Sequence, residues 1–345
     1  MKRRTLRAAF LAVLAALALI GGAAPRGEAG TVLKLGTLAP RGSSYHQSLQ
    51  AMGEKWKRAP GGPVTLRIYT DGAMGGEADV VRKMRIGQVQ AALLTGVGLS
   101  EIDPSVTCLQ MMPMVFDSLQ EFDAVSAAMH PRLEQRLAEK GFVLLFWVDS
   151  GWIHYFTKAA VRTPDEMKQV KLFSWAGDNS GMEILKAAGY SPVSLETADI
   201  LPGLQTGLID GIATIPFYVL TTQIDAHCPN MLPLKWAPLI GGCVITRKAW
   251  DSLPESARGA MKAAAEEAGR EITVQGRKEG GESVAALQRR GLKITPVTPE
   301  LEAEWQRRCE TFYPKIRGSM VPADYFDEVR RLVKEYRSRT PPPPR

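Results

Sequence analysis

VTLRIYTDGAMGGEADVVRKMRIGQVQAALLTG, residues 64–96, sets two β-rich runs on either side of a glycine turn and an amphipathic stretch. VTLRIYT (64–70) reads as a strand and DGAMGGE (71–77) as a turn. Residues 78–86 read as a helix stopped at Gly87, and QAALLTG (90–96) as a buried strand. Just upstream, VLKLGT (32–37) is another strand, followed by the loop PRGSS and a helix over 45–58 capped by Ser43 or Ser44. This β-α-β-α-β order points to a mostly parallel sheet covered by helices on both faces.

The alternation continues downstream. Residues 118–140 are helical up to Gly141, with a break or kink expected at Pro131. GFVLLFWV (141–148) has the composition of a fully buried strand. A second block holds the strands WIHYFT (152–157) and VKLFSW (170–175), helices over 179–188 and 198–206, and the strand LIDGIAT (208–214). In that block Thr197 is placed to cap the second helix and Gly207 to end it. CVITR (243–247) reads as a strand returning to the first block. Residues 254–290 form a long helical pattern interrupted at Gly276 and Gly280-Gly281, and a last helix covers 323–337.

The fold class is therefore α/β, in two lobes, each a mostly parallel sheet flanked by helices, with a long helix spanning both. Residues 30–150 with 239–278 are expected to make lobe I, and 151–238 with 279–338 lobe II. The tail, residues 339–345, is proline-rich and expected to be disordered. Several chain crossings between lobes imply a cleft that closes around a ligand by hinge motion.

At 345 residues, 45% hydrophobic and 23% charged, the chain is in the globular range. Residues 1–29 differ: Lys2, Arg3, Arg4 and Arg7 precede the apolar run AAFLAVLAALALI, and Gly27-Glu28-Ala29 offers a small-x-small cleavage site. This is a cleavable signal peptide, too short for a membrane span, so the mature chain is expected to be soluble and exported. Residues 30–345 carry 38 basic and 35 acidic groups, a net of +3 against +7 for the whole. No basic stripe is left to suggest nucleic acid.

Catalytic motifs are not found in the sequence. His46, His130, His154 and His227 have no metal-ligand spacing, and no nucleophile elbow, P-loop or dinucleotide fingerprint occurs. GAMGGE shares only its glycine content with a phosphate loop. The four cysteines show no C-x-x-C; Cys228 and Cys243 flank what reads as two adjacent strands and are a possible disulfide in an oxidising compartment. No enzyme activity, metal or cofactor is expected.

RTPDEMKQVKL, GYSPVSL and LQTGLIDG, with VLKLGTLAP, YTDGAMGGE, RIGQVQAAL and ITRKAWDSLPESAR, resemble the solute receptors of tripartite ATP-independent periplasmic (TRAP) transporters, the C4-dicarboxylate receptor (DctP-like) family. The resemblance covers nearly all of the mature chain. It implies a periplasmic binding-protein fold that captures a small-molecule solute and delivers it to small and large membrane permease subunits.

The departures bear on the ligand. The family's strand after T-P-[DE] ends in K-[IL]-R, whose arginine pairs with a ligand carboxylate; here it reads Lys171-Leu172-Phe173. A second family arginine is matched by Ile153, and the asparagine after D-G by Thr214. A carboxylate enclosed without charged donors loses several kcal/mol of hydration. The expected solute is accordingly more hydrophobic or less anionic than is usual for the family. Phe173 and Trp175 are the expected aromatic wall, with Trp152 and Phe217 as further candidates. Matching the family's ligand positions adds Ala39, Glu77, Thr95 and Thr197. Three alternatives remain open: a carboxylate receptor using a bound cation or a displaced arginine such as Arg41, a two-lobed cleft enzyme, and a sensor that never delivers its solute.

Overall fold

The computed structural model describes residues 30–340 apart from Gly62 and Gly177; the expected leader and residues 341–345 of the expected tail lie outside the described residues. Among these, eleven strands form two sheets. The first runs in the order β2 (Val64–Tyr69), β1 (Thr31–Thr37), β3 (Ala91–Thr95), β10 (Pro238–Thr246), β4 (Phe142–Trp152). β1 pairs in parallel with β2 and β3, Leu33 opposite Leu66 and Leu35 opposite Ala91. β10 is antiparallel to both β3 and β4, placing Cys243 between Leu93 and Phe146.

The second sheet runs β11 (Lys293–Ile294), β9 (Asn230–Leu232), β5 (His154–Thr157), β8 (Gly211–Thr214), β6 (Lys171–Trp175), β7 (Ser191–Leu195). Only β5 opposes its neighbours. Each lobe is thus a mostly parallel sheet with one reversed strand. β7 went unread in the sequence because it is a polar edge strand, SPVSL, whose Pro192 an edge tolerates.

Three helical expectations change. The Leu119–Glu139 helix runs unbroken through Pro131, which lies on an exposed turn where water can serve the carbonyl of exposed Ala127. The Glu255–Arg289 helix is continuous for 35 residues, roughly 50 Å at 1.5 Å per residue, through Gly276, Gly280 and Gly281. It packs on β4 and the Ser44–Trp56 helix of lobe I and on the Pro216–Thr222 helix of lobe II. Thr197 opens a 3-10 turn and does not cap the following helix, Ile200–Thr206, which Gly207 ends at φ 72°.

The last helix, Ala323–Arg339, sits on lobe I and not on lobe II as its sequence position suggested. Its apolar stripe of Tyr325, Phe326, Val329 and Val333 joins the cluster holding Phe122, Val125, Met129 and Leu133. Arg337 clamps buried Glu121 at 2.6 and 3.0 Å.

Cys228 and Cys243 are both buried free thiols. They do not pair because they belong to different cores, Cys228 with Phe156 and Ile212 of the second sheet and Cys243 with Leu93 and Phe146 of the first. Burial raises both thiols, Cys228 to about 12.

The chain crosses between lobes at Ile153, which joins β4 to β5. The Ile153 N–H donates to Ala237 O at 2.8 Å, and Trp236 N–H donates back to Ile153 O at 3.3 Å. Beside this crossing, Arg277 of the long helix forks onto Asp149 of β4, both bonds 2.7 Å, and reaches Asp123. No described helix is long and apolar enough to cross a membrane.

Candidate functional site

Strand ends from both sheets enclose a cavity of about 140 Å3 between the lobes. The ends of β1 and β3 bring Thr37, Ala39 and Thr95 from lobe I, and the end of β4 brings Val148 and Ser150. The ends of β6 and β8 bring Trp175 and Thr214 from lobe II, and the crossing contributes Ile153. This is where an open α/β sheet presents its carboxyl-terminal loops to a ligand.

Of the residues singled out in the sequence, Ala39, Glu77, Thr95, Ile153, Trp175, Thr197, Thr214 and Phe217 line this cavity, as does Tyr218. Two do not. Phe173 is 6% exposed in the lobe II core with Ile200, Leu204 and Ile212. Its ring meets that of Trp175 edge to face, centroids 4.8 Å apart, so it backs the tryptophan that reaches the cavity. Strand alternation puts both aromatics on one face, where the one nearer the mouth is half-buried and the inner one is covered. Trp152 is half-buried and packs against the large cluster that extends through lobe I.

Among the described residues, the cavity lining holds one carboxylic acid, Glu77, and no Arg, Lys or His. Lys171, at the far end of β6, bonds Gly207 O and lies 3.5 Å from Asp210. Arg41 is exposed, 3.9 Å from Asp71, and lines a separate, wider outer groove of about 1080 Å3. Glu77 is itself engaged. Its carboxylate accepts the Thr95 N–H at 2.7 Å, the Thr95 hydroxyl, and the Gly98 N–H at 3.0 Å. A side chain at Gly98 would overlap that carboxylate, its Cβ 2.9 Å from an oxygen. Burial pushes the Glu77 carboxyl above the ordinary range, against these hydrogen bonds that pull it down.

Sequence reading passed over several lining residues. Tyr45 donates to Ser150 Oγ at 2.7 Å, and burial raises its hydroxyl to about 12. Gln110 accepts the Ile240 N–H at 2.9 Å. The available signals were slight: one amide in the apolar run CLQMMPM (108–114), and a serine closing a buried strand. Phe217, from lobe II, packs on the lobe I core with its ring centroid 5.6 Å from that of Tyr45. The Glu196 carboxylate likewise reaches lobe I, close enough to Gly76 to overlap any side chain there. These cross-lobe contacts mean that the lobes are drawn together around the cavity. No cluster of three or more metal-ligating side chains occurs among the described residues.

The profile of the family described as bacterial extracellular solute-binding protein, family 7 (DctP), matches residues 35–318. The chain belongs to this family. Among curated relatives, the uncharacterized protein YiiZ of Salmonella typhimurium is 26% identical over 210 residues, covering 60% of this chain and 61% of YiiZ, under two thirds of that relative. The ectoine-binding periplasmic protein TeaA of Halomonas elongata is 24% identical over 170 residues, covering 48% and 50%. A TRAP periplasmic solute binding protein from Pseudomonas putida F1, solved with bound D-glucuronate, superposes with a TM-score of 0.78 at 22% identity, covering 87% of this chain and 96% of that one. The two-lobed architecture of this DctP-family chain is that of TRAP solute-binding proteins.

Proposed function

We propose that this chain is an exported, periplasmic TRAP receptor that closes its lobes on a compact solute and hands it to membrane permease subunits. It acts by binding and performs no catalysis. The solute is more hydrophobic or less anionic than a dicarboxylate. The observation that carries this is the lining: Trp175, Phe217 and aliphatic side chains surround the space, and among the described residues its one carboxylic acid is engaged and no cation faces it. TeaA and the glucuronate-bound relative indicate that ligands differ within the family, so the wall chemistry is the guide here.

The energies agree. Micromolar affinity is about −8 kcal/mol. Burying roughly 300 Å2 of apolar surface at ~25 cal/mol per Å2 contributes ~7.5 kcal/mol before association costs. A doubly charged acid would bring two carboxylates into a space holding one buried carboxyl and no compensating guanidinium. Native mass spectrometry of the protein as purified, followed by calorimetry with the co-purified solute, succinate and D-glucuronate, tests this. The expected result is a low-charge solute and no measurable heat with either acid. Micromolar binding of succinate or D-glucuronate overturns the ligand assignment.

A further inference from the structure

The polar groups of the cavity are unevenly shared between its walls. On the lobe II side, Trp175, Ile215 and Phe217 present mainly carbon, and the polar groups there are the hydroxyls of Thr197, Thr214 and Tyr218. On the lobe I side, three neutral groups are each committed as acceptors to the protein. Gln110 Oε1 takes the Ile240 N–H, Ser150 Oγ takes the Tyr45 hydroxyl proton, and Thr37 Oγ1 takes the Ala39 N–H at 3.1 Å. An amide whose oxygen is engaged has its N–H2 left to give, and a hydroxyl that accepts still has its own proton. For Gln110 the assignment is forced, because a backbone N–H can donate only to the oxygen end of the side chain. Among the described residues its amide nitrogen has no protein partner, although the side chain is only 8% exposed.

The donors are also adjacent. Ile240, which holds Gln110, pairs with Asp149 on β4, and Ser150 is the next residue along that strand. Gly96 leaves room for the arrangement, since a Cβ there would lie 3.0 Å from Gln110 Oε1.

Resting on the receptor reading above, we propose that Gln110 is the polar anchor of the cavity, donating its amide N–H2, with Ser150 beside it, to a neutral carbonyl of the solute. The solute class is then a compact, largely apolar molecule ending in a lactam, amide or ketone. Its carbonyl lies on the lobe I wall and its hydrocarbon faces Trp175 and Phe217. A neutral acceptor suits this wall better than an anion, which would face the Glu77 carboxyl, or a cation, for which Glu77 has little acceptor capacity left.

Four probes test this by calorimetry and thermal shift at up to millimolar concentration: δ-valerolactam, cyclohexanecarboxylate, cyclohexylammonium and succinate, each on the wild type and on Gln110→Glu. The variant retains an oxygen for the Ile240 N–H and replaces the donor by an acceptor. The expected result is that the wild type favours the lactam and that Gln110→Glu weakens it at least tenfold. If Gln110→Glu does not fold, Ser150→Ala reads the same wall, with a three- to tenfold loss expected. Equal lactam binding by wild type and variant, tighter binding of either charged ring, or no lactam binding overturns the proposal. Tight succinate binding would instead remove the low-charge reading, and an undiminished succinate affinity in Gln110→Glu would separately remove Gln110 as the anchor.

Discussion

At the residue scale, Phe173 shows what a sequence can and cannot say. That a phenylalanine stands where the family resemblance implies an arginine was legible in the sequence. Its direction was not, because alternation assigns Phe173 and Trp175 to one face without saying how deep each lies. The structure separates them into a buried support and a lining ring. Phe173→Ala should therefore behave as a core truncation, lowering stability by about 3–5 kcal/mol in denaturant titration. A loss under 1 kcal/mol would show that the ring is not packed as described. The neutral donors of the lobe I wall were illegible for a related reason: Gln110 and Ser150 acquire their roles only through partners 130 and 105 positions away.

At the element scale, strands and helices of strong periodicity were read correctly in kind, and the errors came from glycine, proline and edges. Gly276 was taken as an interruption of the long helix. It is a contact point: a Cβ there would lie 2.6 Å from Tyr45 Oη and 3.5 Å from the Ser150 backbone. Gly280 and Gly281 have nothing within 4 Å of such an atom. Gly280→Ala and Gly281→Ala should each stabilise by roughly 0.5–1 kcal/mol through helix propensity. Gly276→Ala should instead destabilise by about 1–3 kcal/mol, as crowding outweighs the same propensity gain. Thermal denaturation of the three variants side by side checks this, and the same sign for all three would refute it.

For the whole molecule, two lobes, a cleft and a shared helix were all inferable from the block order and the helix length. The placement of the last helix was not, since only its apolar stripe meeting the Leu119–Glu139 helix decides which lobe it covers. Beside the crossing, Arg277 ties the long helix to lobe I, its fork neutralising Asp149, 7% exposed at its side chain. Arg277→Ala leaves that carboxylate buried and unpaired, at an expected cost of about 3 kcal/mol, the low end for a broken buried pair because the arginine is partly exposed. Chemical denaturation gives the number, and stopped-flow release of the co-purified solute should show faster dissociation as the crossing loosens. Unchanged stability and release would make the ion pair incidental.

The reversed strand β10 stands between β3 and β4 yet follows the entire second lobe along the chain. A nascent polypeptide that has emerged as far as β9 holds β3 and β4 with no neighbour between them, their backbone donors and acceptors open to any other strand. The first lobe, begun earliest, is thus closed late. Folding of the two halves is interlocked by the order of synthesis, and a growing chain has reason to be kept from settling until residues 238–246 arrive.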